Sequence, residues 1–151
     1  MTGRHEAADS PARPFHLAVP VHDLDTARDF YGGILKCPEG RSDATWVDFN
    51  LYGHQLVCHL SATATGLTAG ALNLVDGDAV PVPHFGVVLP IHEWQALSEQ
   101  LRAASVDFLL GPRTRFSGQA GEQGTFFVQD PSANVLEFKG LRDLGMLFRA
   151  G

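Results

Sequence analysis

The hydrophobic pattern of the first half of the chain predicts a strand, a helix and a hairpin in that order. FHLAVPV at 15–21 is a short apolar run with β-branched residues, and the segment 24–34 places apolar residues at helical spacing. WVDFNLY at 46–52 and QLVCHLS at 55–61 alternate apolar and polar residues, which is typical of half-buried strands. We therefore place a first module at residues 14–62.

The same order recurs in the second half. PHFGVVLP begins another strand, and a helix with apolar residues from Trp94 to Ala104 follows it. TFFVQ at 125–129 and NVLEFK at 134–139 form a hairpin around an Asp-Pro turn. Repetition of strand, helix and terminal hairpin in one order indicates an internal duplication. The predicted organisation is a disordered tail, module one, a linker, module two and a C-terminal tail, at residues 1–13, 14–62, 63–82, 83–141 and 142–151.

Two histidines and one glutamate occupy positions that suit a metal site. His16 and His84 open the first strand of each module, and pseudo-twofold packing of the modules would bring these strands to one cleft. Glu137 alternates with Leu136 and Phe138, so its carboxylate points away from the packing face. Two imidazoles and one carboxylate suit Fe(II), Mn(II), Zn(II) or Ni(II). Taken singly, each residue also fits a structural role, a strand-edge histidine or a surface carboxylate.

Composition narrows the function classes. The net charge is -6 and no basic face is evident, which argues against a nucleic-acid partner. No run approaches the roughly 20 apolar residues of a membrane span, and the N-terminal segment does not resemble a signal peptide. Cys37 and Cys58 lack a metal-binding spacing and are expected to be reduced thiols. We therefore expect a cytoplasmic protein with a small-molecule substrate, without nucleic acid or membrane partners, and paired as a homodimer through exposed strand edges.

Residues 14–141 resemble the vicinal oxygen chelate superfamily, which contains glyoxalase I, extradiol dioxygenases, and the fosfomycin and bleomycin resistance proteins. The resemblance rests on His16, on the helix ending DFYGGIL, on His84 and on the ending FFVQDPSANVLEFK. It implies an α+β fold in which two tandem βαβββ modules form an incomplete barrel around a metal cleft. It also implies His16, His84 and Glu137 as ligands of a divalent ion, with Fe(II) or Mn(II) favoured and Zn(II) or Ni(II) as alternatives.

One position departs from the glyoxalase pattern. Aligning VCHLS at 57–61 with VLEFK at 135–139 puts His59 where glyoxalase I carries a further metal-binding glutamate. His59 is accordingly predicted to be the catalytic acid or base, with a fourth ligand or an inert strand histidine as alternatives. Gln123, Phe127 and Arg115 are candidate substrate-binding residues, and loop or core roles are their alternatives.

The resemblance leaves the reaction open. The favoured expectation is ring cleavage of the extradiol dioxygenase kind, on a substrate that chelates the ion through two neighbouring oxygens. The alternatives are a lyase or isomerase of the glyoxalase kind and a non-catalytic binding protein of the resistance kind.

Overall fold

The computed structural model describes residues 13–64, 72–75, 77–119 and 121–150. These residues form two compact units, one ending at Ala64 and the other starting at Leu72. Of the predicted tail at 1–13, only Arg13 lies within the described residues. No helix in the described part of the chain is long and apolar enough to cross a membrane.

The first unit is a four-stranded mixed sheet with one helical segment. Its elements are β1 (His16–Val21), α1 (Leu24–Ala27), a π-helix that continues α1 (Arg28–Ile34), β2 (Glu39–Ser42), β3 (Trp46–Leu51) and β4 (His54–Leu60). The strand order is β1-β4-β3-β2, with β1 parallel to β4 and the other pairs antiparallel.

The helical segment and alternation along the strands divide this sheet into two faces. Asp23 caps α1 by accepting the backbone N–H of Asp25 at 2.8 Å. Tyr31 packs on Phe49 of β3, with ring centroids 5.6 Å apart. Because successive side chains of a strand point to opposite faces, Gln55 of β4 projects from the face that the helix leaves uncovered.

The second unit repeats this order and adds a hairpin. Its elements are β5 (Leu72–Val75), β6 (Asp78–Pro81), β7 (Val88–Pro90), α2 (Ile91–Ala103), β8 (Phe108–Arg115), β9 (Gln123–Gln129), β10 (Val135–Leu141) and a 3₁₀ turn (Leu144–Met146). The main sheet has the order β7-β10-β9-β8, with β7 parallel to β10. The predicted α+β class and the repeated βαβββ order are therefore confirmed, and each main sheet is open.

Trp94 decides which face of the second sheet is covered. Its indole N–H donates to the carbonyl of Phe138 at 2.9 Å. Its ring lies so close to Gly124 and Gly140 that a Cβ at either glycine would come within 2.8 Å of it. Helix α2 thus covers the face of Phe138 and Gly140, and Glu137 lies on the opposite face.

Two segments differ from the sequence prediction. The residues of β2 are all exposed and show no apolar alternation, which explains why the sequence indicates a loop there. The predicted linker at 63–82 contains the hairpin β5–β6. Val80 of this hairpin is buried against Phe127 and Val135 in the second unit. Tertiary contacts therefore turn a segment of connection-like composition into part of the core.

Candidate metal centre

His84 and Glu137 are in direct contact on the face of the second sheet opposite to helix α2. His84 Nε2 lies 3.1 Å from Glu137 Oε1. The Oγ1 hydroxyl of Thr125 donates to Glu137 Oε2 at 2.5 Å, and His84 Nδ1 lies 2.6 Å from the carbonyl oxygen of Pro81. Both side chains are thus held at their outer atoms while Nε2 and Oε1 face each other.

The turn before β10 fixes the register that places Glu137 there. The Asp130 carboxylate accepts the backbone N–H groups of Ser132 and Asn134, both at 2.8 Å. It also accepts the Asn134 side-chain amide at 2.7 Å. These bonds explain locally why the Asp-Pro sequence makes a rigid hairpin connection.

Gly86 allows the His84 segment to approach β10 closely. The backbone N–H of Glu137 donates to the carbonyl of Phe85 at 2.8 Å. A Cβ at Gly86 would lie 1.5 Å from the carbonyl oxygen of Glu137, which no side chain can do without moving the backbone. The glycine therefore makes the contact between His84 and Glu137 possible.

The hydrogen bond to Pro81 defines the proton positions on His84. A carbonyl oxygen only accepts, so Nδ1 must carry a hydrogen. In the neutral ring Nε2 then carries a lone pair that faces the Glu137 carboxylate, which also only accepts. Two acceptors at 3.1 Å are stable only with a cation between them, either a proton or a metal ion.

Without a metal the pair takes the proton. The hydrogen bond to Glu137 is the largest cause that raises the pKa of His84 above its usual 6.5; burial opposes it and the Pro81 carbonyl adds to it. Burial alone would raise the pKa of Glu137, but the hydrogen bonds from His84 and Thr125 and the nearby charges lower it below 4.5. Both shifts favour the ion pair.

His16 lies in the first unit and has a different partner. It is exposed at the start of β1, and its Nδ1 lies 2.8 Å from Oε1 of Gln55. His16 pairs with Gln55 across the parallel strands β1 and β4. In the second unit, the backbone carbonyl of Pro81 takes the place of Gln55 as the partner of the imidazole Nδ1.

The sheet registers show which residue of β4 corresponds to Glu137. Leu17 follows His16 and pairs with Leu56, as Phe85 follows His84 and pairs with Leu136. The next residues, Val57 and Glu137, therefore correspond. The alignment of VCHLS with VLEFK is thus shifted by two residues, and His59 is not the counterpart of Glu137.

His59 lies further along the same face of β4. It is exposed, pairs with Pro20 and Trp46, and stands two residues beyond Val57. Two residues of a strand span about 6.6 Å. His59 is about 13 Å beyond the level of Gln55, where His16 pairs. The first unit therefore does not bring His59 and His16 together.

The described residues join only two of the three predicted ligands. Nowhere in that part of the chain do three or more His, Cys, Asp or Glu side chains form a group that could hold a metal ion. His84 and Glu137 touch within the second unit, and His16 belongs to the first. The donor chemistry of the pair fits a divalent ion, and the participation of His16 stays a prediction.

The three predicted substrate residues occupy different surroundings. Phe127 lies opposite Glu137 on β9, is 1% exposed, and meets the His84 ring edge-on at 5.0 Å. Arg115 is also 1% exposed, and its guanidinium donates to the carbonyl of Val75 and pairs with Asp78 at 3.2 Å. Its charge is thus used to hold the hairpin β5–β6, away from solvent.

Gln123 stands apart from the pair. It begins β9, four residues before Phe127, and lines a cavity of about 240 Å³ with Trp94, Thr114 and Arg142. Because Trp94 covers the face opposite to Glu137, this cavity is separate from the candidate metal centre.

Two partners of the pair were not singled out by sequence. Thr125 shares a face with Phe127 by simple alternation along TFFVQ, and that pattern could have identified it. The Pro81 carbonyl left no signal, because its role depends on how the hairpin β5–β6 packs.

The chain matches the family described as the Glyoxalase/Bleomycin resistance protein/Dioxygenase superfamily over residues 13–138. No curated protein sequence matches it significantly. Among solved structures, a glyoxalase/bleomycin resistance protein/dioxygenase from Alicyclobacillus acidocaldarius is 33% identical, with a TM-score of 0.75, covering 92% of this chain and 98% of that one.

Two further solved structures share the fold at lower identity. The fosfomycin resistance protein FosX from Listeria monocytogenes is 17% identical with a TM-score of 0.63, covering 92% of this chain and 98% of its own. A lactoylglutathione lyase from Agrobacterium tumefaciens is 15% identical with a TM-score of 0.61, covering 93% and 98%. The chain belongs to the Glyoxalase/Bleomycin resistance protein/Dioxygenase superfamily.

Proposed function

We propose that the protein is a metal-dependent enzyme that binds its ion through His84, Glu137 and His16. Its substrate is a small molecule with two neighbouring oxygens, and the favoured reaction is extradiol-type cleavage of a catechol by dioxygen. The superfamily contains metal-dependent enzymes such as the lactoylglutathione lyase, which supports a catalytic role at the coarser level.

One observation carries the proposal. His84 Nε2 and Glu137 Oε1 face each other at 3.1 Å, while Pro81 and Thr125 occupy their other polar atoms. Ligands of a metal ion are typically oriented by such hydrogen bonds at the atom that does not bind the metal. A pair that served only as an ion pair would not need both outer atoms fixed.

The register favours three protein ligands over four. Val57 occupies the place in the first unit that corresponds to Glu137, so this position offers no second carboxylate. Two histidines and one carboxylate with open positions are the set found in Fe(II) oxygenases. A bound ion would supply Lewis-acid stabilisation of the substrate oxygens and, as Fe(II), the redox chemistry for dioxygen.

His59 is the proposed proton acceptor. It is exposed on the same face of β4 as Val57 and lies one same-face position, about 6.6 Å, beyond it. His59 lies about 13 Å along β4 from the level of His16, which is too far for the two imidazoles to bind one ion and leaves His59 available to a substrate group. An imidazole can take a proton near neutral pH, which is the role the reaction requires.

Anaerobic metal binding followed by an oxygen-uptake assay tests the proposal. Protein stripped with a chelator is titrated with Fe(II), Mn(II), Zn(II) and Ni(II), and the loaded forms are tested with a panel of catechols. We expect one ion per chain and oxygen consumption with Fe(II) or Mn(II). A ring-opened product identified by mass spectrometry would establish the extradiol reaction.

The other outcomes separate the alternatives. Binding of Ni(II) or Zn(II) with turnover of a hemithioacetal and no oxygen uptake would replace the dioxygenase with a lyase. Absence of binding for every ion would contradict the metal site and favour a sequestering protein of the resistance kind.

A further inference from the structure

Three polar side chains form a continuous chain of hydrogen bonds on the uncovered face of the first sheet. Asp48 of β3 accepts the side-chain amide of Gln55 at 3.0 Å, and Gln55 Oε1 lies 2.8 Å from Nδ1 of His16. The other carboxylate oxygen of Asp48 accepts the backbone N–H of Arg41 at 2.5 Å. None of these partners was a candidate in the sequence except His16.

The buried carboxylate of Asp48 determines which atoms donate and which accept in these hydrogen bonds. Asp48 is 6% exposed, and both its oxygens accept hydrogen bonds. The amide nitrogen of Gln55 must therefore face Asp48, and its carbonyl oxygen must face His16. Since that oxygen only accepts, His16 Nδ1 must carry the hydrogen.

This arrangement selects one tautomer of His16. A free imidazole prefers its proton on Nε2, whereas the bond to Gln55 keeps it on Nδ1 and leaves the lone pair on Nε2. We propose that Gln55, held by Asp48, is a positioning residue that prepares His16 Nε2 to bind the metal ion. The inference rests on the proposed function in one respect, namely that His16 is a ligand.

Gly40 provides the space that Asp48 needs. A Cβ at Gly40 would lie 2.2 Å from Oδ1 of Asp48, so a side chain there would displace the carboxylate. The glycine of β2 is thus part of the same device, because it admits a buried charged group next to the strand. A carboxylate kept out of solvent stays fixed and holds the Gln55 amide in one orientation.

Asp48→Asn tests whether Gln55 sets the tautomer of His16, which a merely structural role of Asp48 and Gln55 would not change. The backbone N–H of Arg41 still needs an acceptor, so the new amide nitrogen would face Gln55. The Gln55 amide must then turn its own nitrogen toward His16, and Nδ1 of His16 becomes an acceptor. We expect the variant to switch His16 to the tautomer with hydrogen on Nε2.

The double variant Asp48→Asn with Gln55→Glu reverses this switch. The introduced carboxylate accepts from the amide at position 48 and from His16 Nδ1, which restores the original tautomer. Long-range ¹H–¹⁵N correlation spectra of metal-free protein report the tautomer directly, at a pH where imidazoles are neutral. The His16 signals are assigned by their loss in His16→Asn.

Asp43→Asn is the matched control. Asp43 also accepts a backbone N–H, that of Ala44, and lies in the same unit. We expect native tautomer signals in this control, a switched tautomer in Asp48→Asn and a native one in the double variant. A native His16 with hydrogen on Nε2, or a tautomer that does not respond to Asp48→Asn, would overturn the proposal.

Mn(II) titration of the same variants tests the consequence for binding. Asp48→Asn should weaken affinity by about 10- to 100-fold, the usual loss when a partner of a ligand is removed, and the double variant should recover it. If the wild type binds no metal, the proposed function fails while the spectra still decide the role of Gln55. If the tautomer switches and affinity stays unchanged, His16 is not a ligand and the positioning role is rejected.

Discussion

Where the second unit carries Glu137, the first unit carries Val57. The two positions correspond in the sheet registers, and each unit has a histidine on the neighbouring segment: His16 begins β1, and His84 lies four residues before β7. One unit therefore pairs its imidazole with a carboxylate, and the other pairs it with an amide, that of Gln55. The two units share the strand order and the histidine, and they differ in the group that each imidazole contacts.

The two histidines are also held differently. His84 is half-buried and bonded to a backbone carbonyl, and His16 is exposed and bonded to a side chain. A backbone anchor persists whatever residue supplies it, whereas a side-chain anchor can be changed by one substitution. The same tautomer, with hydrogen on Nδ1, is thus selected in two ways that respond differently to mutation.

The largest effect is expected at Gly86, whose counterpart in the first unit is Ala18. Gly86→Ala places a Cβ against the carbonyl of Glu137, where Ala18 is tolerated at the corresponding position of the first unit. We expect a loss of about 1–3 kcal/mol in the free energy of unfolding, or more, together with weaker metal binding. Urea denaturation measures it. Ala18→Gly is the control, and an equal loss in both variants would contradict the assigned close approach.

The carboxylate is the next most sensitive point. Glu137→Gln should lower affinity for Mn(II) by more than the roughly 10- to 100-fold typical of residues that only support a ligand. Val57→Thr, a change of similar size at the corresponding position, should leave affinity within a few-fold. Isothermal titration of chelator-stripped protein compares the two. Equal affinity of Glu137→Gln and the wild type would remove Glu137 from the ligand set.

His59 tests whether the first unit supplies chemistry as well as a ligand. His59→Ala should keep the bound ion, because Val57 and not His59 corresponds to Glu137. Turnover should fall on the order of 10²-fold, as on removal of a positioned base. Metal analysis and steady-state kinetics on the same sample separate the two effects. Loss of the ion would make His59 a ligand, and unchanged turnover would make it structural.

The His84–Glu137 pair of the second unit should make the free energy of unfolding depend on pH. In metal-free protein the raised pKa of His84 contributes stability below pH 6.5, which is lost as pH rises through its folded-state pKa. The lowered pKa of Glu137 contributes stability above pH 4.5, which is lost as pH falls through its folded-state pKa. The His84–Glu137 pair therefore stabilises the folded protein most between pH 4.5 and pH 6.5.

Thermal denaturation from pH 4 to 9 compares the wild type with Glu137→Gln. The difference in unfolding free energy should peak between pH 4.5 and 6.5, at roughly 1.5–3 kcal/mol for a hydrogen bond between charged groups. Gln55→Leu, which removes the partner of the other histidine, should show no such peak. A pH-independent difference for Glu137→Gln would contradict the ion pair.

The smallest expected effect concerns the reactivity of the Cys37 thiol. Burial raises the pKa of its thiol to about 11, so very little reactive thiolate is present at neutral pH. We expect the folded protein to react slowly with a disulfide reagent and to react fully once unfolded in denaturant. Rapid labelling of Cys37 in the folded protein, located by peptide mass spectrometry, would show that the first unit opens readily.

The sequence alone determined the repeated order of strand, helix and terminal hairpin, the helix positions and the facing direction of Glu137. Each of these follows from the local period of apolar residues, which one segment shows without reference to another. The conserved order of elements in the two halves was likewise visible as a repeat. The pairing of His84 with Glu137 was consistent with that pattern and is observed in the second unit.

Only the tertiary structure decided the matters that depend on contacts between segments. The sheet register showed that Val57, and not His59, is the counterpart of Glu137. A register depends on which residues of two strands pair, and a sequence alignment of β4 with β10 does not contain that information. Packing of the hairpin β5–β6 buried Arg115 and supplied the Pro81 carbonyl to His84. The strand β2 formed without an apolar pattern, since backbone hydrogen bonds to β3 hold it. Local periodicity carries no information on such long-range partners.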